Sequence, residues 1–122
     1  MKKTAVFDFD GVIATYNGWK GFDVLGEPQL AVISCIKDLK ALGWRIVIWT
    51  TRPATPKLIE WLKHNAVPYD DINRNSHNPV MTSGKPVYHV IVDDRAVRYW
   101  GQDARILFAN IMEVVKENEN KQ

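Results

Sequence analysis

Three stretches of the chain hold runs of consecutive rather than alternate apolar residues: one within Thr4 to Ile13, where Gly11 ends the strand, then Arg45 to Trp49 and Val87 to Val92. Runs of this length, rich in Val, Ile and aromatic residues, predict strands buried on both faces. Residues 66–71, through Ala66-Val67-Pro68-Tyr69, predict a further short strand, with Pro68 confining it to a partial or edge strand. Helical spacing fills the intervals. Pro28 suits a first helical position, and Val32, Cys35, Ile36, Leu39 and Leu42 make an apolar stripe that ends before Gly43. A first helix is therefore expected over about 28–42. Thr55 and Pro56 open a second helix, with Leu58, Ile59, Trp61 and Leu62 inward and Asn65 as its stop. Asp103 caps a third, whose apolar positions are Ile106, Leu107, Ile111, Val114 and Val115, with Asn110 on the same stripe.

The connections are polar. Residues 14–26 hold three glycines, and residues 70–86 are rich in Asn, Ser, Pro and Gly, so both predict loops. Residues 95–102 read as irregular, with a very short strand near Val97 to Tyr99, and the polar tail from Glu117 to Gln122 is expected to fray. Strands alternating with helices imply an α/β fold with a mostly parallel sheet covered by helices. In such sheets ligands bind beyond the carboxyl ends of the strands.

Bulk properties narrow the class without naming it. The 122 residues suffice for one domain, 1–122, with 46% hydrophobic and 25% charged residues. A formal charge of +2 is too small to signal nucleic-acid binding. Cys35 is the single cysteine, so no disulfide framework exists. No run approaches the length of a membrane span, and Met1-Lys2-Lys3 leads straight into an acidic strand rather than a signal peptide, so a cytoplasmic protein is expected. Five tryptophans leave room for an exposed patch and for self-association.

The chemistry sits at the strand ends. Asp8 and Asp10 are two apart and share one face of an extended backbone. Two carboxylates there repel each other, and a cation between them relieves that; carboxylate oxygens suit Mg²⁺. Gly11 reads as the turn that ends this strand. Thr50 and Thr51 end the second long strand, and Asp93 and Asp94 end the last. Three polar clusters on one sheet edge are more than turn residues require. His64 reads as a solvated cap and His89 as structural. His77 has no His or Cys partner at metal spacing, so zinc is not expected.

In order and spacing these segments resemble the haloacid dehalogenase-like superfamily of phosphohydrolases, over residues 4 to about 100. The matching motifs are Asp8-Phe9-Asp10-Gly11-Val12-Ile13, then Ile46-Val47-Ile48-Trp49-Thr50, a lysine identified with Lys85, and Ile91-Val92-Asp93-Asp94. The resemblance implies a three-layer, Rossmann-like domain with helices on both faces. The intervals between motifs leave no space for a cap domain, so an exposed site is expected. It implies Asp8 as the nucleophile that forms an aspartyl-phosphate, and Asp10 as general acid and then base. Mg²⁺ would be held by Asp8, the backbone carbonyl of Asp10, and Asp93. Thr50 would bind a phosphoryl oxygen with the Thr51 amide nearby. Lys85 would pair with the phosphate and Asp8, and Asp94 would bind the metal through water or orient Lys85. Gly11 would admit the phosphate close to the backbone. Arg52 and Arg95 stand beside the motifs, either as substrate contacts or in structural ion pairs.

The function the resemblance implies is Mg²⁺-dependent phosphomonoester hydrolysis. The Ile-Trp-Thr-Thr-Arg-Pro stretch and Asp93-Asp94-Arg95 are similar to capless hydrolases of nucleotides or polynucleotide ends. Tyr16, Trp19 and Phe22 stand either to stack on a base or sugar or to pack internally. The alternative is a regulatory module of the same fold that binds phosphate and Mg²⁺ with weak turnover. A two-component receiver domain, which shares the paired Asp, Thr and Lys85-Pro86, fits worse: its phosphorylated Asp ends a middle strand, where this chain has Trp49.

Overall fold

A computed structural model of the chain describes residues 2–119 and residue 121. The fold is α/β, with four parallel strands in the order β3-β2-β1-β4 and three helices. β1 (Thr4–Phe7) and β2 (Arg45–Ile48) are fully buried, as their unbroken apolar runs require. In register, Ala5 meets Ile46 and Phe7 meets Ile48, while Thr4 meets Arg45 and Val6 meets Val47. The odd positions of β1 therefore face one side of the sheet and the even positions the other. The first side carries the main core, formed with Phe9, Val12 and Ile13 after β1, Ile33 and Ile36 of α1 (Leu30–Ala41), and Leu58 and Leu62 of α2 (Pro56–His64).

α1 follows its expected stripe at Val32, Ile36 and Leu39, which join the core, and departs from it at Ile33, Cys35 and Leu42. Ile33 is 3% exposed and Ile36 fully buried, whereas Leu42 is 76% exposed and Cys35 faces solvent. The helix turns by the i, i+3 step from Ile33 to Ile36, flanked by partly buried Val32 and Leu39. Gly43, at φ +88°, ends it as expected. α2 starts at Thr55, whose hydroxyl accepts from the Leu58 amide at 3.3 Å, and stops at Asn65. Leu58 and Leu62 are its buried residues and Ile59 is exposed.

The third strand lies later than its apolar pattern suggested. Residues 66–69 are not extended in a strand: Ala66 adopts φ +53° and Val67 drops into the core. β3 is instead Asp71–Ile72, an edge strand beside Val47 and Ile48. Its acidic character is offset by charge. Asp70 accepts from the Ile46 amide at 2.8 Å and pairs with Lys40 at 2.9 Å, and Asp71 pairs with Arg45. Arg45 also donates to Asn75, whose amide reaches the Val87 carbonyl, so the connection after β3 is tied to the sheet.

The last strand is shorter than its apolar run. β4 is Val90–Val92; His89 precedes it, its Nδ1 accepting from the Thr4 amide at 3.0 Å while its own amide donates to the Thr4 carbonyl at 2.9 Å. The histidine is structural. Residues 97–99 form no strand. α3 (Ala104–Glu117) begins at Asp103, whose carboxylate accepts from the Ile106 amide, but buries none of its side chains completely. Ile106, Ile111 and Val115 of the expected inward stripe are exposed. The tail does not simply fray: Asn118 is buried, and Lys121 returns to the carboxyl edge of the sheet. Asn120 and Gln122 of that tail lie outside the described residues. No described helix is long and apolar enough to cross a membrane.

Candidate active site

The strand order reverses at β1, with β2 on one side and β4 on the other. A crevice forms outside the carboxyl ends at such a switch point. A cavity of about 500 Å³ occupies it, lined by Asp8 and Asp10 after β1, Thr50 and Thr51 after β2, and Asp93 after β4. Tyr16, Trp19, Trp49, Arg95 and Lys121 complete its walls.

The turn after β1 aims the two acids. Phe9 is fully buried and packs edge-on against Trp61 at 5.0 Å, which directs Asp8 and Asp10 to the opposite side. The Phe9 carbonyl then accepts from the amides of Val12, Ile13 and Ala14, closing a compact turn. Gly11 is needed twice in it. Its φ of +84° favours glycine, and a Cβ there would lie 2.2 Å from Asp94 Oδ2. The turn and the last strand's carboxylate share one space.

Carboxylate oxygens of Asp8, Asp93 and Asp94 lie within 4.8 Å of one another. Burial and then the negative charge of Asp93 push Asp8 up to about 7, against the opposing donation of the Phe9 amide to its Oδ1; Asp94 raises it further. Asp94 Oδ1 is buried with no hydrogen-bond donor. Crowded carboxylates, one with an orphaned buried oxygen, are what a hard dication bound by oxygen would relieve, so the donor set fits Mg²⁺. This set differs from the one the resemblance implied, in that Asp94 stands beside Asp8 and Asp93.

Asp10 is engaged elsewhere. Both its oxygens accept from Arg52 Nε, at 2.8 and 3.1 Å. Arg52 is 3% exposed, and its other nitrogens donate to the carbonyls of Gly21, Phe22 and Val24 at 3.1–3.2 Å. Its guanidinium also lies 4.8 Å from the Trp19 ring centre. Arg52 thus makes the structural ion pair, an internal clamp that fastens the 14–26 loop to Asp10. Trp19 receives Phe22 edge-on at 5.1 Å, so Phe22 braces the wall while Trp19 and Tyr16 line it. The base of the loop is held by an antiparallel bridge of Ala14 to Pro28, and Gly26 passes so close to Thr15 that a Cβ would fall 1.9 Å from its carbonyl oxygen.

Thr50 Oγ1 accepts from the Arg52 amide at 3.1 Å, which leaves its hydroxyl proton available to a ligand. Asn73, at φ +60° just after β3, orders this turn by accepting from the Thr50 amide and donating to the Arg52 carbonyl, each at 2.8 Å. Its signal in sequence is only an Asn after a strand, a residue tolerant of left-handed backbone. Lys85 does not line the cavity; it is exposed, with Nζ 5.7 Å from the Tyr88 ring centre. The lysine that does line it is Lys121.

Two solved structures resemble this chain in fold. One is a conserved protein from Bacteroides thetaiotaomicron, at 21% identity and TM-score 0.62, over 100% of this chain and 94% of that one. The other is a crystal structure from Vibrio cholerae, at 25% identity and TM-score 0.52, over 91% and 98%. No family model matches the chain, and no curated protein matches it.

Proposed function

We propose that the protein is a Mg²⁺-dependent phosphomonoester hydrolase acting through an aspartyl-phosphate, with a nucleotide-like substrate. The observation that carries this reading is the Asp8, Asp93 and Asp94 cluster at the switch point, of which Asp8 and Asp93 line a cavity that Thr50 also lines. Mg²⁺, held by Asp8, Asp93 and Asp94, would supply positive charge to the transferring phosphoryl group and favour the ionised form of Asp8.

In the proposed reaction an Asp8 carboxylate oxygen attacks phosphorus as the bond to the leaving oxygen breaks. The Thr50 hydroxyl donates a hydrogen bond to a non-bridging oxygen and keeps its proton. Asp10 gives a proton to the leaving group, and later takes one from the water that attacks the phosphorus of the aspartyl-phosphate, which frees inorganic phosphate and restores Asp8. Tyr16 and Trp19 offer flat apolar surface to whatever the phosphate is attached to, which favours a base or aryl group.

One observation favours a second reading, a regulatory module with weak turnover. Both Asp10 oxygens are bound to Arg52, so Asp10 can exchange protons only when one oxygen is released. Phosphate release from p-nitrophenyl phosphate and a nucleoside monophosphate panel, with Mg²⁺ or with chelator, separates the two. Hydrolase action requires Mg²⁺-dependent turnover that Asp10→Asn lowers by about 10²–10⁴. Phosphate binding without turnover supports the module.

A further inference from the structure

Apart from Arg95 and Lys121 in its wall, this site would meet an arriving phosphate with an excess of negative charge. Asp8, Asp93 and Asp94 outnumber the charge of one dication, and the arriving group is itself anionic. Arg52 does not redress the balance, because its Nε serves Asp10 and its terminal nitrogens serve three loop carbonyls. Lys85 lies outside the cavity.

Lys121 has the right place and free donors. Its Nζ lies 3.4 Å from Asp94 Oδ2 and lines the same cavity as Asp8 and Thr50. An ammonium has three protons, and one contact at that length leaves two for a ligand. Its position is built rather than incidental. Arg95 Nη2 donates to the Lys121 carbonyl at 2.6 Å, and the carboxamide of buried Asn118 donates to the Asp94 carbonyl at 3.0 Å. The turn after β4 and the chain after α3 are therefore tied together at both main-chain and side-chain level.

Resting on the hydrolase reading for its chemistry, we infer that Lys121 is the phosphate-binding ammonium of this site, delivered from the segment after α3 and positioned by Arg95 and Asn118. The ordinary order of motifs would draw this lysine from the segment before the last strand. Here α3 and the residues after it carry it instead. The consequence is that the site is complete only when the segment after α3 is docked on Asp94.

The test is calorimetric binding of inorganic phosphate in the presence of Mg²⁺, run beside p-nitrophenyl phosphate kinetics, for wild type, Lys121→Met, Lys121→Arg and Lys85→Met. Losing a charge-assisted bond should weaken phosphate binding about ten- to a hundredfold in Lys121→Met and lower kcat/KM in parallel, with partial rescue by Lys121→Arg. Unchanged phosphate affinity in Lys121→Met, or the loss falling on Lys85→Met instead, overturns the inference whatever the turnover. Wild type that binds phosphate through Lys121 yet hydrolyses nothing would sink the hydrolase reading and leave Lys121 standing. No Mg²⁺-dependent phosphate binding by wild type removes both.

Discussion

Arg52→Met removes the clamp between Asp10 and the 14–26 loop while keeping most of the apolar stem. It deletes both contacts to Asp10 and the donors to the Gly21, Phe22 and Val24 carbonyls. The pair is buried on both sides, with 3% and 15% of the two side chains exposed. Removing one partner of such a pair costs about 3–5 kcal/mol, because the other charge is left without compensation. Unfolding entropy near about 2.1 cal/mol/K per residue makes each kcal/mol worth roughly 4 °C in a chain of 122 residues. The expected fall in Tm is therefore about 12–20 °C, read by circular dichroism. Arg52→Lys should recover little, since an ammonium cannot span the carboxylate and three carbonyls at once. Adding Asp10→Asn to Arg52→Met should restore part of the loss, with a coupling of about 1–3 kcal/mol. Amide exchange over residues 14–26 should speed up in parallel. A Tm drop under about 3 °C, or unchanged exchange in the loop, would refute the clamp.

Three further outcomes follow from the site. With its pKa raised to about 7, Asp8 binds a proton more tightly folded than unfolded, so without metal its contribution to stability falls as pH rises from about 4 to 7, and Mg²⁺ reverses the trend. Proton competition at that pKa weakens Mg²⁺ binding by up to about thirtyfold at pH 5.5 relative to pH 8, and a flat calorimetric profile would contradict it. Gly11→Ala forces a Cβ onto Asp94 Oδ2 at a positive φ; a cost of about 1–2 kcal/mol in stability and a Mg²⁺ affinity at least tenfold lower are expected from thermal melts and titration. Trp19→Ala should raise KM for nucleoside monophosphates by about five- to a hundredfold, as loss of a stacking partner predicts, with little change for inorganic phosphate binding; equal effects on both would deny Trp19 a role in recognising the organic group.

What the sequence made legible is what local physics dictates. β1 and β2 are buried on both faces and announce themselves as unbroken apolar runs, and the three helices are bounded by Thr55, Asp103 and Gly43, whose capping chemistry is local. β3 is hard to read because it is only Asp71–Ile72, and the charge of Asp71 is made acceptable by Arg45, which lies distant in sequence. In α1 the stripe Val32, Ile36 and Leu39 is legible, but Leu42 and Cys35 look apolar yet face water, while Ile33 joins the core beside them. At the site, the acids and Thr50 were legible because each follows a strand. The partners of those acids were not, since Arg52 to Asp10 and Lys121 to Asp94 depend on how loop and tail fold back. A motif gives residue types in order along the chain. It does not tell which cation arrives from outside that order.

The central claim is that Asp8 becomes covalently phosphorylated. Wild type mixed with substrate and Mg²⁺, quenched in acid and reduced with borohydride, should yield homoserine at position 8, the reduction product of an aspartyl-phosphate, by peptide mass spectrometry. Asp8→Asn should give none and show no turnover. An intact Asp8 throughout rapid turnover, or homoserine at Asp10, Asp93 or Asp94 instead, would contradict the account.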